Sequence, residues 1–260
     1  MVERISERKH WDNFWSRDRD LDEIYDNDSR IPEEIIKEMK LLNAITLEVG
    51  AATARDSVVL AEKGAVAIAL DYSHEALKLA RETAERANVQ LLLVCGDALD
   101  LPFKDASIDL VFHQGVLEHF RDPLPLLREN ARVAKRNGKI LVDVPQTFHV
   151  YTLIKKTLIA LNMWFAGWET QFTPRKLSRT LNRSGLVQVS VYGRFFSPSL
   201  AYRIFRELLM KAGMKLPLRP VLIPPVHRLR GRVRRWVEKS SLGPGLGYVI
   251  GIIAEKKRNN

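Results

Sequence analysis

The chain has 260 residues, 46% of them apolar and 28% charged, which suits one large α/β domain with a substantial core and argues against disorder. Its one cysteine, Cys95, cannot form an internal disulfide, and in the apolar run Gln90-Leu-Leu-Leu-Val-Cys95 it reads as a buried small hydrophobe in a reducing, cytoplasmic setting. No stretch reaches the roughly 18 apolar residues that a spanning helix needs, and the N-terminus lacks the apolar core of a secretory signal.

The net charge of +10 is unevenly placed: residues 1–40 hold 8 Lys/Arg against 12 Asp/Glu, whereas residues 201–240 hold 11 against 2. The first 40 residues read as helical and polar. His10-Trp-Asp-Asn-Phe-Trp15 gathers three aromatics, and Arg30-Ile-Pro32 opens a helix with proline in its first turn. Strands are then expected at 45–49, 66–70, 90–95, 108–113 and 139–144, with helices at 54–63, 74–87, 116–119 extended by a turn, and 123–135. Such alternation predicts an α/β fold, a doubly wound and mostly parallel sheet with helices on both faces. After Pro145 come an apolar helix at 150–165, a helix with Thr173 as cap and Pro174 at its first position, and a strand at 186–195. A basic helical insertion follows at 198–240, broken at Pro217, Pro220, Pro224 and Pro225, and an apolar strand closes the chain at 247–254.

The stretch 45–72 is the most informative. An apolar run ends in Glu48-Val49-Gly50, a small-residue turn covers Ala51 to Ala54, and a second apolar run ends at Asp71, 21 positions after the glycine. This βαβ unit suits a nucleoside-type ligand, with N–H groups at the helix start facing polar ligand atoms and the carboxylate taking a ribose hydroxyl pair. A plain strand-to-helix turn competes for Gly50, and a helix N-cap for Asp71, although Ser73 is also placed for that job. Asp97 ends the third run, so two neighbouring strands present carboxylates at one sheet edge, where open α/β sheets bind ligands. His113 and His119 lie near the same edge as candidate general bases, against the plainer reading of one imidazole packing beside the ligand and the other capping a helix. Asp109 suits a turn. No metal is expected, because His and Cys never fall at ligand spacing, and neither a Gly-x-Ser-x-Gly elbow nor a Gly-Lys-Ser phosphate loop is present.

Leu47-Glu48-Val-Gly50, Leu70-Asp71-Tyr72-Ser, Gly96-Asp97-Ala98 with Leu101-Pro-Phe, Ser107-Ile-Asp109-Leu-Val and Gly115-Val-Leu-Glu118-His119-Phe occur in an order that resembles the class I S-adenosylmethionine-dependent methyltransferases. The resemblance is strongest to the small-molecule branch related to quinone and sugar-cluster methyltransferases. Trp168-Glu-Thr-Gln-Phe-Thr and the final apolar strand look like that family's closing portion. The resemblance implies a Rossmann-like, seven-stranded sheet whose last strand is antiparallel, with residues 1–40 as a helical lid over a domain at 41–260. It implies S-adenosyl-L-methionine as cofactor, with Glu48, Gly50, Ala51 and Ala52 at the methionine end, Asp71 and Tyr72 at the ribose, Asp97 and Ala98 at the adenine, and His113 near the sulfonium. The chain departs from the family at Ala52 and Ala54, where glycines are usual, and a methyl at Ala52 would crowd the cofactor.

The implied activity is methyl transfer to a small-molecule, lipid or sugar-type acceptor. Trp11, Phe14, Trp15, the helix at 150–165 and Trp168 are candidate covers, with His119 the first choice of base and His113 the second. The alternatives are a nicotinamide-dependent oxidoreductase, which predicts a Gly-x-Gly-x-x-Gly turn absent here, and a non-catalytic S-adenosylmethionine-binding protein docked on a membrane. The basic stretch 201–240 reads first as a solvated face, next as a contact for an anionic membrane surface, which would make the protein peripheral, and last as a grip on nucleic acid.

Overall fold

Six parallel strands and one reversed strand form the centre of the protein, seen in a computed structural model that describes residues 7–17, 29–164, 166, 169–195, 200–214, 216–217 and 224–256. The strands are β1 (Ile45–Val49), β2 (Val66–Asp71), β3 (Leu92–Cys95), β4 (Ile108–Gln114), β5 (Ala134–Pro145), β6 (Leu186–Arg194) and β7 (Val249–Lys256). They form one sheet in the order β3-β2-β1-β4-β5-β7-β6. β1 to β5 pair in parallel, and β7 runs antiparallel to both β5 and β6. The central runs are mostly apolar because helices cover both faces.

The helices are α1 (Arg8–Trp15), α2 (Arg30–Glu38), α3 (Arg55–Glu62), α4 (His74–Ala87), α5 (Leu124–Val133), α6 (Val150–Ala160), α7 (Pro174–Arg183), α8 (Leu200–Lys211), α9 (Pro224–Lys239) and α10 (Gly243–Leu246), with a 3-10 turn at Leu117–His119. Alternate residues of each strand point to opposite faces. Val111, Ile140, Val142 and Ile252 therefore meet Leu126 and Leu127 of α5 and Leu177 and Leu181 of α7. On the other side, Leu110, Phe112, Leu141 and Ile253 meet Ile31 and Ile35 of α2 and Leu60 of α3.

Strand order reverses between β1 and β4, so their carboxyl ends diverge and open a crevice at Gly50 and Gly115. α1 reaches that crevice from outside. Phe14 and Trp15 are buried beside Ala76 of α4, and the Ser73 hydroxyl donates to Asp12 Oδ1 at 2.6 Å.

Several sequence expectations change. Cys95 is exposed, because β3 is an edge strand with no neighbour beyond it. α6 ends at Ala160 rather than 165. Pro224 and Pro225 begin α9 instead of breaking a helix, as proline is tolerated where N–H groups lack intrahelical acceptors. Phe165, Trp168 and residues 1–6 and 18–28 of the expected lid at 1–40 lie outside the described residues. Among the described residues no helix is long and apolar enough to cross a membrane.

Candidate active site

The turn after β1 is left-handed at three alternate positions: Gly50 (φ 66°), Ala52 (φ 50°) and Ala54 (φ 52°). Gly50 has a steric reason as well, since a Cβ there would come within 2.6 Å of Val116 Cγ2. For alanine this conformation costs about 1 kcal/mol per residue. The two alanines thus keep a backbone that glycine would adopt without strain.

The first three N–H groups of this turn are engaged by the protein itself. Gly50 and Ala51 both donate to the Leu70 carbonyl, at 2.8 and 3.0 Å. Ala52 donates to Asp71 Oδ2 at 3.0 Å. The turn therefore offers close approach by small residues, while its donors tie it to the tip of β2.

Asp71 is buried at that tip, and its other oxygen accepts the Ser73 N–H at 2.9 Å. Ser73, not Asp71, caps α4, accepting from the Ala76 N–H. Burial raises the Asp71 pKa, with the hydrogen bonds from Ser73 and Ala52 opposing that rise. Register pairs Asp71 with Cys95, so Asp97 emerges two residues beyond the neighbouring tip. Asp97 Oδ1 accepts the Leu99 N–H at 2.8 Å, which shapes the turn that carries Ala98 into the same cleft. Glu48 is buried at the floor, and one of its oxygens accepts both the Ser57 hydroxyl (2.6 Å) and the Ser57 N–H (3.1 Å). Burial first, then the nearby Asp56, holds its pKa well above the usual carboxylate range.

Glu48, Gly50, Ala51, Ala52, Asp71, Tyr72, Asp97 and Ala98 all line one cleft. His113 does not. It is wholly enclosed in β4, its two ring nitrogens have no hydrogen-bond partner among the described residues, and burial pushes its pKa down to about 3. The next residue, Gln114, reaches the cleft instead, as the alternation of strand side chains requires. His119 does line the cleft, its ring edge-on to Trp11 with centroids 5.2 Å apart. Its Nδ1 has no hydrogen-bond partner, and burial lowers its pKa to about 4 against an upward pull from Glu169. Asp109 holds the start of β1 by accepting the Ile45 N–H at 2.9 Å.

Three features escaped the sequence reading. Arg30 lines the cleft and grips Asp143 through two hydrogen bonds, at 3.3 and 3.1 Å, while Tyr192 donates to the same carboxylate at 2.8 Å. This network pins α2 to the tip of β5, and no local signal links residues 113 positions apart. Beneath His119, Glu118 is buried with one carboxyl oxygen unpartnered. Burial, and then Glu169, pushes its pKa up to about 8. Lys155 of α6 forms a buried ion pair with Glu169, whose other oxygen accepts the Trp164 indole N–H at 2.6 Å.

A cleft walled by Glu48, Asp56, Asp71 and Asp97 fits a nucleoside that carries positive charge, because a bound cation would offset the cost of burying those carboxylates. A pyrophosphate fits poorly: the acids repel it, and the N–H groups of Gly50, Ala51 and Ala52 already have acceptors.

Residues 47–142 match the family model described as "Methyltransferase domain". A demethylmenaquinone methyltransferase of Renibacterium salmoninarum is 35% identical over 96 residues, 37% of this chain and 39% of that protein. The biotin biosynthesis bifunctional protein BioHC of Cellvibrio japonicus is 31% identical over 142 residues, 55% of this chain and 26% of that protein. The chain thus spans less than half the length of these curated relatives. The solved structure of magnesium protoporphyrin IX methyltransferase from Synechocystis, with bound S-adenosylhomocysteine, superposes with a TM-score of 0.59 at 13% identity, covering 96% of this chain and 93% of that one. This likeness shows a shared fold. The nicotinamide alternative draws no support from these matches.

Proposed function

We propose that the chain, whose residues 47–142 match the methyltransferase-domain model, is a class I S-adenosylmethionine-dependent methyltransferase that transfers a methyl group to a small-molecule acceptor of lipid-like character. The observation that carries this reading is the convergence of Glu48, Asp71 and Asp97 on one cleft. In this reading Asp71 serves the ribose, Asp97 and Ala98 the adenine, and Glu48 the ammonium end. S-adenosylmethionine, when bound, supplies a methyl group already activated by its sulfonium.

The protein's share is alignment and exclusion of water. Trp11, Val116 and Phe120 give the cleft an apolar wall, which suits an acceptor with an apolar ring or tail. A demethylmenaquinone methyltransferase among the relatives is consistent with that class. His119 is neutral at physiological pH and offers an unpartnered Nδ1, so it is the residue placed to take a proton from the acceptor. So weak a base suits an acceptor hydroxyl that is already acidic.

The test is incubation of the full chain and a lipid extract with methyl-labelled S-adenosylmethionine. Label recovered in an extractable small molecule supports the proposal. Cofactor bound without turnover on any acceptor would favour the non-catalytic reading.

A further inference from the structure

Helix α9 turns a carboxylate inward and an apolar stripe outward. Glu238 is buried, accepts the Phe195 N–H at 3.1 Å, and faces Arg194 at 3.5 Å. The opposite side displays Leu229, Val233 and Trp236, spaced i, i+4, i+7, with exposures of 64, 53 and 69%. A helix that merely covers a sheet places such a stripe against the core. α8 and α6 repeat the inversion. In α8, Arg206 is buried and donates to the Leu216 carbonyl at 2.9 Å, while Phe205 and Leu208 are exposed. In α6, Lys155 is buried, while Leu153 and Ile154 are exposed.

We infer that the outward face of α9 is a docking surface for an anionic lipid bilayer. Charge selects this occupant. Pro224–Lys239 contains six basic residues against one acidic, and Arg232 and Arg235 are exposed beside the apolar stripe. An apolar stripe with an indole and a basic flank matches the layered polarity of a bilayer surface. A protein partner would favour a contact centre depleted in charge, and a nucleic acid would leave the stripe unused. The docking surface does not depend on the methyltransferase reading.

The experiment is co-flotation of the full chain with vesicles of phosphatidylcholine and phosphatidylglycerol, compared with vesicles of phosphatidylcholine alone. Flotation with the mixed vesicles that weakens at high salt is expected. The double variant Leu229→Asp/Trp236→Asp, with an unchanged far-ultraviolet spectrum, should lose at least about tenfold in partitioning, since apolar burial and charge both contribute. No flotation, equal flotation by the double variant, or tight RNA binding without flotation would each overturn the inference. S-adenosylhomocysteine calorimetry on the same samples separates the two readings: a protein that floats but binds no nucleoside keeps the surface and loses the methyltransferase assignment.

Discussion

The carboxylate of Asp71 accepts a hydrogen bond from the backbone of Ala52 at 3.0 Å. This bond joins the acid at the tip of the second strand to the left-handed turn after the first. The strand-tip acid and the turn, which both line the cleft, are therefore one mechanical unit.

Asp71→Ala should weaken S-adenosylhomocysteine binding by at least about 1.5 kcal/mol, the scale of losing a hydrogen bond to a charged group. It should also lower stability, because the Ala52 and Ser73 N–H groups lose their acceptor. Calorimetry and urea unfolding read the two effects separately. Unchanged affinity would remove Asp71 from the site.

Ala52→Gly relieves the left-handed strain at φ 50°, worth about 1 kcal/mol, and partly offsets it by the greater freedom of glycine in the unfolded chain. Stability should stay level or rise, and cofactor affinity should stay level or improve as the methyl leaves the cleft. A large loss of affinity would mean that the methyl contacts the ligand favourably.

His113 is buried and neutral, with its pKa depressed to about 3 by burial. A folded state that resists protonation loses stability as pH falls below the ordinary histidine value, down to the depressed one. His113→Leu should remove that part of the acid lability between about pH 6.5 and 3, and leave S-adenosylhomocysteine affinity unchanged. A clear loss of affinity would return His113 to the cofactor wall.

Glu118 behaves in the opposite sense. Its pKa is raised to about 8, chiefly by burial, so the folded state holds the proton more tightly than the unfolded chain. Its contribution to stability is complete below about pH 4.5 and is lost as pH rises toward 8. Glu118→Gln should match the parent at low pH and be the more stable protein above pH 8. Parallel stability curves across that window would show that Glu118 ionises freely.

Local signals made much of this legible. The apolar runs, the Glu48–Gly50 turn, the acids Asp71 and Asp97 and the Thr173 cap are written within a few residues of where they act. What stayed hidden depends on position in the sheet. Cys95 lies in an apolar run, and only its place on the edge strand exposes it. His113 and Gln114 differ by one step of strand alternation, and that step decides which of them reaches the cleft. The Arg30–Asp143 pair and the outward stripe of α9 become visible only when distant segments meet.

The most direct test is a crystal structure with S-adenosylhomocysteine bound. The account predicts both ribose hydroxyls within about 3 Å of the Asp71 carboxylate, with the base beside Asp97 and Ala98. A nucleoside seated elsewhere, or Asp71 turned away from the sugar, would contradict it.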